Sequence, residues 1–423
     1  LSLAAGLGLD SIGFPAFGVR ATNIGIEASC QAMVDEIVAF LRHPSSLQRV
    51  VIALLDPGAF LEFFEEALRR GALANTPLTL RIGAIPGGFS IAPSGGPSAP
   101  VASVFSAALP PRGGLESSLA RLRAGATRRL RDLEHELAAL GRGLWESLPE
   151  PVQTALREER GRPLRLELDE AIAWLPLELA CDGASYLAER TVSRHLVSRT
   201  LPPRRALSAP LAAALPVLIA AGDSSQLPAS VLEARELVDL LWRRAGPRVQ
   251  LTLLAGSRAT REAIGAALPK AALVHWCGHT QSGEDSRGGH EPAWELANGL
   301  WTPEEVGRLP LAAQLVVLNS CGPQGGVALP RAFLLAGAQN VIGSLWDVED
   351  APARAFATTF YEGLCLGKTI ANALSDARAA LRPLGAIHWL AYQHWGDPTA
   401  RLFGPRPRSS RSQDSALFDS GGS

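Results

Sequence analysis

The chain has 423 residues, with 40 basic against 41 acidic side chains and a 47% hydrophobic fraction. That balance excludes the electrostatic footprint of a nucleic-acid or anionic-membrane binder, and the length implies two to three domains with sizeable cores. Apolar runs such as LVVL and VLIAA are strand-sized, far short of the roughly 20 residues a membrane-spanning helix needs.

Five cysteines (Cys30, Cys181, Cys277, Cys321, Cys365) are odd in number and scattered. They suit a reducing, cytoplasmic setting better than a disulfide framework. The chain opens on Leu1 and its only methionine is Met33, so a fragment or a processed product is expected.

Residues 1–72 read as a small α/β segment. SIGFPAFGV is a short strand entering a glycine-containing loop. EASCQAMVDEIVAFLRH places Ala28, Met33, Ile37, Phe40 and Leu41 at helical spacing. RVVIALLD is a buried strand and PGAFLEFFEEALRRG a closing helix. On this order and the FPA strand, the segment resembles the carboxyl half of a macro domain. That resemblance implies ADP-ribose binding by the loop Gly18-Val19-Arg20-Ala21-Thr22-Asn23-Ile24-Gly25. The loop lacks the family's tight run of small residues, and the family's first half has no counterpart here. A docking or remnant module without ligand is the competing reading.

Residues 73–205 read as a linker and an amino-terminal lobe. LTLRIGAI is a strand, and PGGFSIAPSGGPSAP an exposed linker or long loop by its Pro, Gly and Ser content. Leu119, Leu122, Leu130, Leu133, Leu137 and Leu140 predict one long amphipathic helix over 115–145. Residues 165–197 form short strands and turns, hairpin-like around Asp182-Gly183.

Residues 206–404 are regular. LPVLIAAG, VQLTLLAG, ALVHWCGHT, AQLVVLNSC and NVIGSLWD are strands, separated by helices SVLEARELVDLLWRRA, TREAIGAAL, TPEEVGRL and PRAFLLAGA. Thr260 introduces the second helix, residues 281–300 are a polar glycine-rich loop, and helices follow over 352–365 and 369–382. This alternation predicts a doubly wound, mostly parallel α/β sheet. Residues 405–423 have the composition of a disordered tail.

Two strands end on reactive residues: ALVHWCGHT delivers His279 and AQLVVLNSC delivers Cys321. Ligands in open parallel sheets bind outside the carboxyl strand ends, so neighbouring strands of this kind would set an imidazole beside a thiol. Gly322-Pro323-Gln324-Gly325-Gly326 stops the second strand and lets a substrate backbone approach. His275, Cys277 and His279 share one face by alternation, which with Cys321 would make a zinc donor set. Same-face neighbours are about 7 Å apart, too far to converge on one ion without a bend. Cys277 then reads as a packed neighbour, and His275 as a core residue or a support of the pair.

The order and spacing of ALVHWCGHT, LWTPEEVGRLPLAAQLVVLNSC, RAFLLAGAQNVIGSLWDVED, FYEGLCLGKTIANALSDAR and HWLAYQHWGDP resemble the CHAT domain, a family similar to caspases and separases. LRLELDEAIAWLPLELACDGASYLAERTVSR resembles its amino-terminal lobe, so the likeness covers about residues 115–404. It implies a caspase-like sheet and a cysteine endopeptidase without cofactor or metal, acting on a protein substrate under an activating partner or an attached sensor, in bacterial defence or regulated cell death. His279 and Cys321 fall on the family's dyad. The amides of Thr280 and Cys321 fall on its oxyanion hole. The family has His-Gly where this chain has His279-Thr280, a substitution that strains the backbone if that position needs φ > 0. It also commonly has an acidic residue where this chain has Gly322. Asp347, Glu349 and Asp350 would line a pocket for a basic side chain, as in the similar separase segment; alternatively they form a solvated loop in which Asp350 caps the next helix. The competing functions are a catalytically silent caspase-like scaffold and an ADP-ribose reader.

Overall fold

In a computed structural model, the structure describes residues 1–7, 9, 11–15, 25–41, 49–53, 63, 77–95, 104–108, 112–123, 130–198, 214–222, 228–284, 290–321, 327–346 and 348–403. The chain divides into two compact units: Leu1–Ala108 with Leu148–Glu167, and Leu109–Ser147 with Leu168–Ser423. Among the described residues, no helix is long and apolar enough to cross a membrane.

In the first unit, strands β1 (Ser11–Pro15) and β2 (Arg49–Ala53) pair in parallel around the helix Ile26–Leu41. That helix buries Cys30 and Val34 beside Phe63, with Met33 and Ile52 packed against them. Ala28, expected on the buried stripe, is exposed. Most of the predicted ADP-ribose loop and all of the predicted closing helix except Phe63 lie outside the described residues. β3 (Leu78–Ile85) forms a hairpin with β4 (Gly88–Ser94), which pairs in turn with β5 (Phe105–Ala108). The stretch expected as a linker is therefore half strand. Its turn-forming composition hid a period-two alternation in which Phe89 and Ile91 are buried with Leu78, Leu80 and Ile82. β6 (Leu164–Asp169) buries Leu164, Leu166 and Leu168 by the same alternation.

The second unit begins with helices Arg112–Arg123 and Leu130–Glu146, the described parts of the predicted long helix. The turn at Asp182-Gly183 forms as expected: Asp182 Oδ1 accepts from the amides of Ala184 and Ser185, and Cys181 bridges Tyr186. Its sheet consists of β7 (Val192–Val197), β8 (Leu215–Ala221), β9 (Val249–Ala255), β10 (Leu273–Glu284), β11 (His290–Leu296), β12 (Gly299–Trp301), β13 (Leu315–Cys321), β14 (Val341–Ser344) and β15 (Tyr392–Trp395). β9, β8, β10, β13 and β14 lie side by side and parallel; β15 is antiparallel to β14, and β7 parallel to β15. The central strands are buried on both faces, which is why they read as continuous apolar runs. Helices Pro228–Ala245 and Asp350–Cys365 cover one face, and the helix Ala328–Ala336 packs on the other, where Phe333 meets Trp294.

The loop expected over 281–300 is a second hairpin. β10 continues to Glu284, β11 returns antiparallel to it, and β12 pairs with β11. The polar residues at 281–284 hid the strand, and in β11 Trp294 and Leu296 are buried on one face while Ala293 is buried on the other. Caps behave as the sequence predicts at Thr260, whose hydroxyl accepts from the Ala263 amide at 3.2 Å. Thr302 and Glu305 form a reciprocal capping box.

Gly396 closes the end of β15 at φ +136°, where an added Cβ would lie 2.3 Å from Asn340 Oδ1 and 2.6 Å from the Gln339 carbonyl oxygen. Asn340 cannot yield, because its Oδ1 accepts from the Asp397 amide and from His394, and its Nδ2 donates to Gln314. Gly396→Ala is expected to cost about 2–4 kcal/mol through strain and overlap, read as a fall in the denaturation midpoint. A loss below 0.5 kcal/mol would mean that the turn relaxes freely.

Candidate active site

The chain passes from β8 to β9 on one side of the sheet and then crosses to β10 on the other side of β8. That reversal is a topological switch point, where a crevice opens at the carboxyl ends of the strands. β10 and β13 run in parallel register from Leu273↔Leu315 to His279↔Cys321. The last register pair therefore sets the backbones of the two predicted reactive residues on adjacent strands, about 4.8 Å apart in the pairing direction. Beyond His279, β10 leaves β13 and pairs with β11, starting at Thr280↔Trp294. The parallel ladder ends at the two predicted catalytic positions.

Thr280 is buried within this continuous strand. Extended backbone accepts a β-branched residue readily, so the strain expected of a threonine in place of glycine does not arise from the strand geometry. Gly278 is the position that needs to be small: a Cβ there would lie 3.0 Å from the Trp276 ring and 3.1 Å from the Gly222 nitrogen. Trp276 stacks on Trp294 with ring centroids 4.4 Å apart and 13° between planes, filling the sheet face opposite to His275.

Beneath the register pair lies a buried polar network that sequence reasoning missed. His275 Nε2 is 2.8 Å from Glu233 Oε1, and its Nδ1 is 3.1 Å from the Tyr361 hydroxyl. Asn319 Nδ2 donates to Glu233 Oε1 at 2.7 Å and to the Ala353 carbonyl at 3.1 Å, while Asn319 Oδ1 accepts from the Tyr392 hydroxyl at 2.7 Å. Burial, aided by the Glu233 carboxylate, pushes the Tyr361 hydroxyl well above its ordinary pKa. The same two causes raise the Cys277 thiol, which donates toward the carbonyls of Ser230 and Ala220. The sequence signals were a glutamate inside the apolar stripe Ala234, Leu237, Leu241 and an asparagine inside LVVLNSC.

Glu233, His275 and Cys277 bring one ligand atom each within 4.8 Å of one another. All three groups are engaged in hydrogen bonds: Glu233 Oε1 bonds His275 and accepts from Asn319, and the Cys277 thiol donates toward two carbonyls, so the cluster stands as a polar network. Of the donor set that strand spacing argues against, His275 and Cys277 do come together, but on Glu233, a helix residue that strand spacing could not reveal.

Asp347 lies outside the described residues. Asp350 is exposed in the first turn of the helix Asp350–Cys365, and the N-cap position falls on Glu349, which makes no side-chain capping bond. Asp350 therefore acts on that helix through its dipole and not as the cap. Burial holds half-buried His388 below the ordinary histidine range, and Glu349 opposes that shift.

The profile of the CHAT domain family matches residues 138–402. Tetratricopeptide repeat protein 28 of Mus musculus is 27% identical over 303 residues, covering 56% of this chain and 12% of that protein. Its Homo sapiens counterpart is 41% identical over 85 residues, covering 18% of this chain and 3% of that protein. The chain thus spans a small fraction of the length of these relatives. Two crystal structures of the Saccharomyces cerevisiae separase–securin complex superpose with TM-scores of 0.39 and 0.38 at 14% identity, covering 88% of this chain and 24% of that one. With the family profile matching well over half of its length, the chain belongs to the CHAT domain family.

Proposed function

We propose that this chain is a cysteine endopeptidase in which His279 and Cys321 form the catalytic dyad. The observation that carries the reading is the His279↔Cys321 register at the end of the parallel ladder, beside the switch point of the sheet. The Cys321 thiolate attacks a peptide carbonyl, and the amides of Cys321 and Thr280 stabilise the oxyanion. His279 protonates the leaving amine and then activates water for deacylation. Asp347 and Asp350, after the next strand, favour a basic side chain before the scissile bond. The reading further assigns a cytoplasmic enzyme with a protein substrate and an activating protein partner, and 206–404 as its catalytic domain. The setting in bacterial defence rests on the family resemblance alone, since the curated relatives are mammalian.

The test is labelling by a peptide-based thiol-reactive probe, mapped by mass spectrometry. Cys30, Cys277 and Cys365 are buried and Cys181 is partly covered, so fast labelling confined to Cys321 and lost in His279→Ala supports the dyad. Slow labelling of Cys321 that ignores His279 favours the scaffold reading in its place.

A further inference from the structure

Among the described residues, no arginine or lysine pairs with Glu233, whose one ion-pair contact is His275. Tyr361 keeps its proton, and its one described partner is His275 Nδ1, so the hydroxyl donates there. The imidazole then carries its proton on Nε2 and gives it to Glu233 Oε1. That oxygen also accepts from Asn319, whose amide orientation is fixed by Tyr392 and Ala353. Glu233 is thus a carboxylate held by two neutral donors in a side chain only 7% exposed. Among the described residues, its only ion-pair partner is that neutral imidazole. The other groups facing it are the protonated Cys277 thiol from β10 and the Tyr361 and Tyr392 hydroxyls. The Arg354–Glu236 pair at 3.6 Å, on the two covering helices, is balanced within itself.

Isolated buried carboxylates are costly, and a nearby cation relieves them. His275, Cys277 and His279 share a face of β10, and Asn319 and Cys321 share a face of β13. Asn319 lies one same-face step, about 7 Å, before Cys321, and His275 two steps, about 14 Å, before His279, so the carboxylate that bonds both sits about 7–14 Å below the pair along the strands. We propose that Glu233 is the electrostatic third member of the His279–Cys321 pair, a positioning residue whose buried charge stabilises the imidazolium form of His279. This rests on the dyad reading above. It supplies what the sequence lacked, a carboxylate partner for the histidine, from a helix and through the sheet rather than by direct contact.

The experiment is the pH dependence of Cys321 alkylation by iodoacetamide in the full chain, for wild type, Glu233→Gln and Glu233→Asp. The carboxylate disfavours the thiolate and favours the imidazolium, so its removal lowers both titration steps. In Glu233→Gln, both transitions are expected to move down by about one pH unit. Glu233→Asp, which retains the charge, should leave them near their wild-type positions. A rate that falls at every pH with unmoved transitions assigns Glu233 a purely structural role and overturns the proposal. Should Glu233→Gln fail to fold, the wild-type His279 ring resonance, assigned with His279→Gln, carries the test. Its midpoint is expected above that of a solvated histidine, and a midpoint below it overturns the proposal. Slow Cys321 alkylation indifferent to His279→Ala would instead sink the dyad reading, while the His279 midpoint would still report the Glu233 charge.

Discussion

Arg194→Met is expected to lower stability by about 3–5 kcal/mol, the range for breaking one side of a fully buried ion pair. Arg194 on β7 and Glu178 are 1% and 2% exposed. Arg194 bonds both carboxylate oxygens of Glu178, donates to the carbonyls of Ala173 and Leu175, and lies over the Trp395 ring at 4.9 Å. Gln393 completes the shell with a bond to Glu178 Oε2 at 3.1 Å. Methionine preserves much of the volume but leaves a buried carboxylate and two carbonyls without their donor, so desolvation and not lost packing sets the size of the effect. Replacing Glu178 as well, in Arg194→Met/Glu178→Met, should recover part of the loss, because the buried carboxylate is gone while the two carbonyls and Gln393 still lack their partners. Arg244→Ala, which breaks the half-exposed Arg244–Glu362 pair, should cost about 0.5 kcal/mol. Urea denaturation of the three variants measures all of this. Equal losses for Arg194→Met and Arg244→Ala would contradict the reading of Arg194 as the cation that ties the segment around Glu178 to the sheet.

What was legible in the sequence follows from what a linear pattern encodes. Apolar runs of strand length and capped amphipathic helices located β8, β10, β13 and β14, because burial on both faces leaves a run with few polar interruptions, and the outer strand β9 by its apolar residues alone. The same criterion failed at β4 and β11. There, Gly, Pro, Ser and charged residues looked like loop, and only a few apolar residues such as Phe89, Ile91 and Trp294 betrayed a strand. The juxtaposition of the predicted pair was legible because each member lies where the apolar run of its strand, and with it the parallel ladder, ends. The network beneath it was not, since Glu233, His275, Asn319, Tyr361 and Tyr392 come from five elements and meet only when two helices close over one face of the sheet. A polar residue inside an apolar stripe marks such a meeting without naming its partners. Glu233 and Asn319 are both of that kind.

If His279 and Cys321 act as one unit, their substitutions must fail to add. Cys321→Ala is expected to lower turnover of a peptide amide with a basic residue before the scissile bond by about 10⁴-fold or more, and His279→Ala by a comparable factor. The double variant should be no worse than Cys321→Ala alone, because an imidazole without its thiol has no proton to move and no leaving amine to protonate. The buried Trp276–Trp294 stack ties β10 to β11 and the hydrogen-bonded Asn319 anchors β13, so neither truncation at the end of the ladder should disturb the fold. Near-ultraviolet circular dichroism, to which that stacked indole pair contributes, is the control for an intact sheet. Turnover that survives Cys321→Ala would assign the cleavage to another group. Losses that multiply in the double variant would show His279 acting on something other than the Cys321 thiol. A thiol that loses reactivity with His279, in a chain whose turnover depends on both residues and on neither twice, is the behaviour that separates an enzyme from a scaffold with the same register.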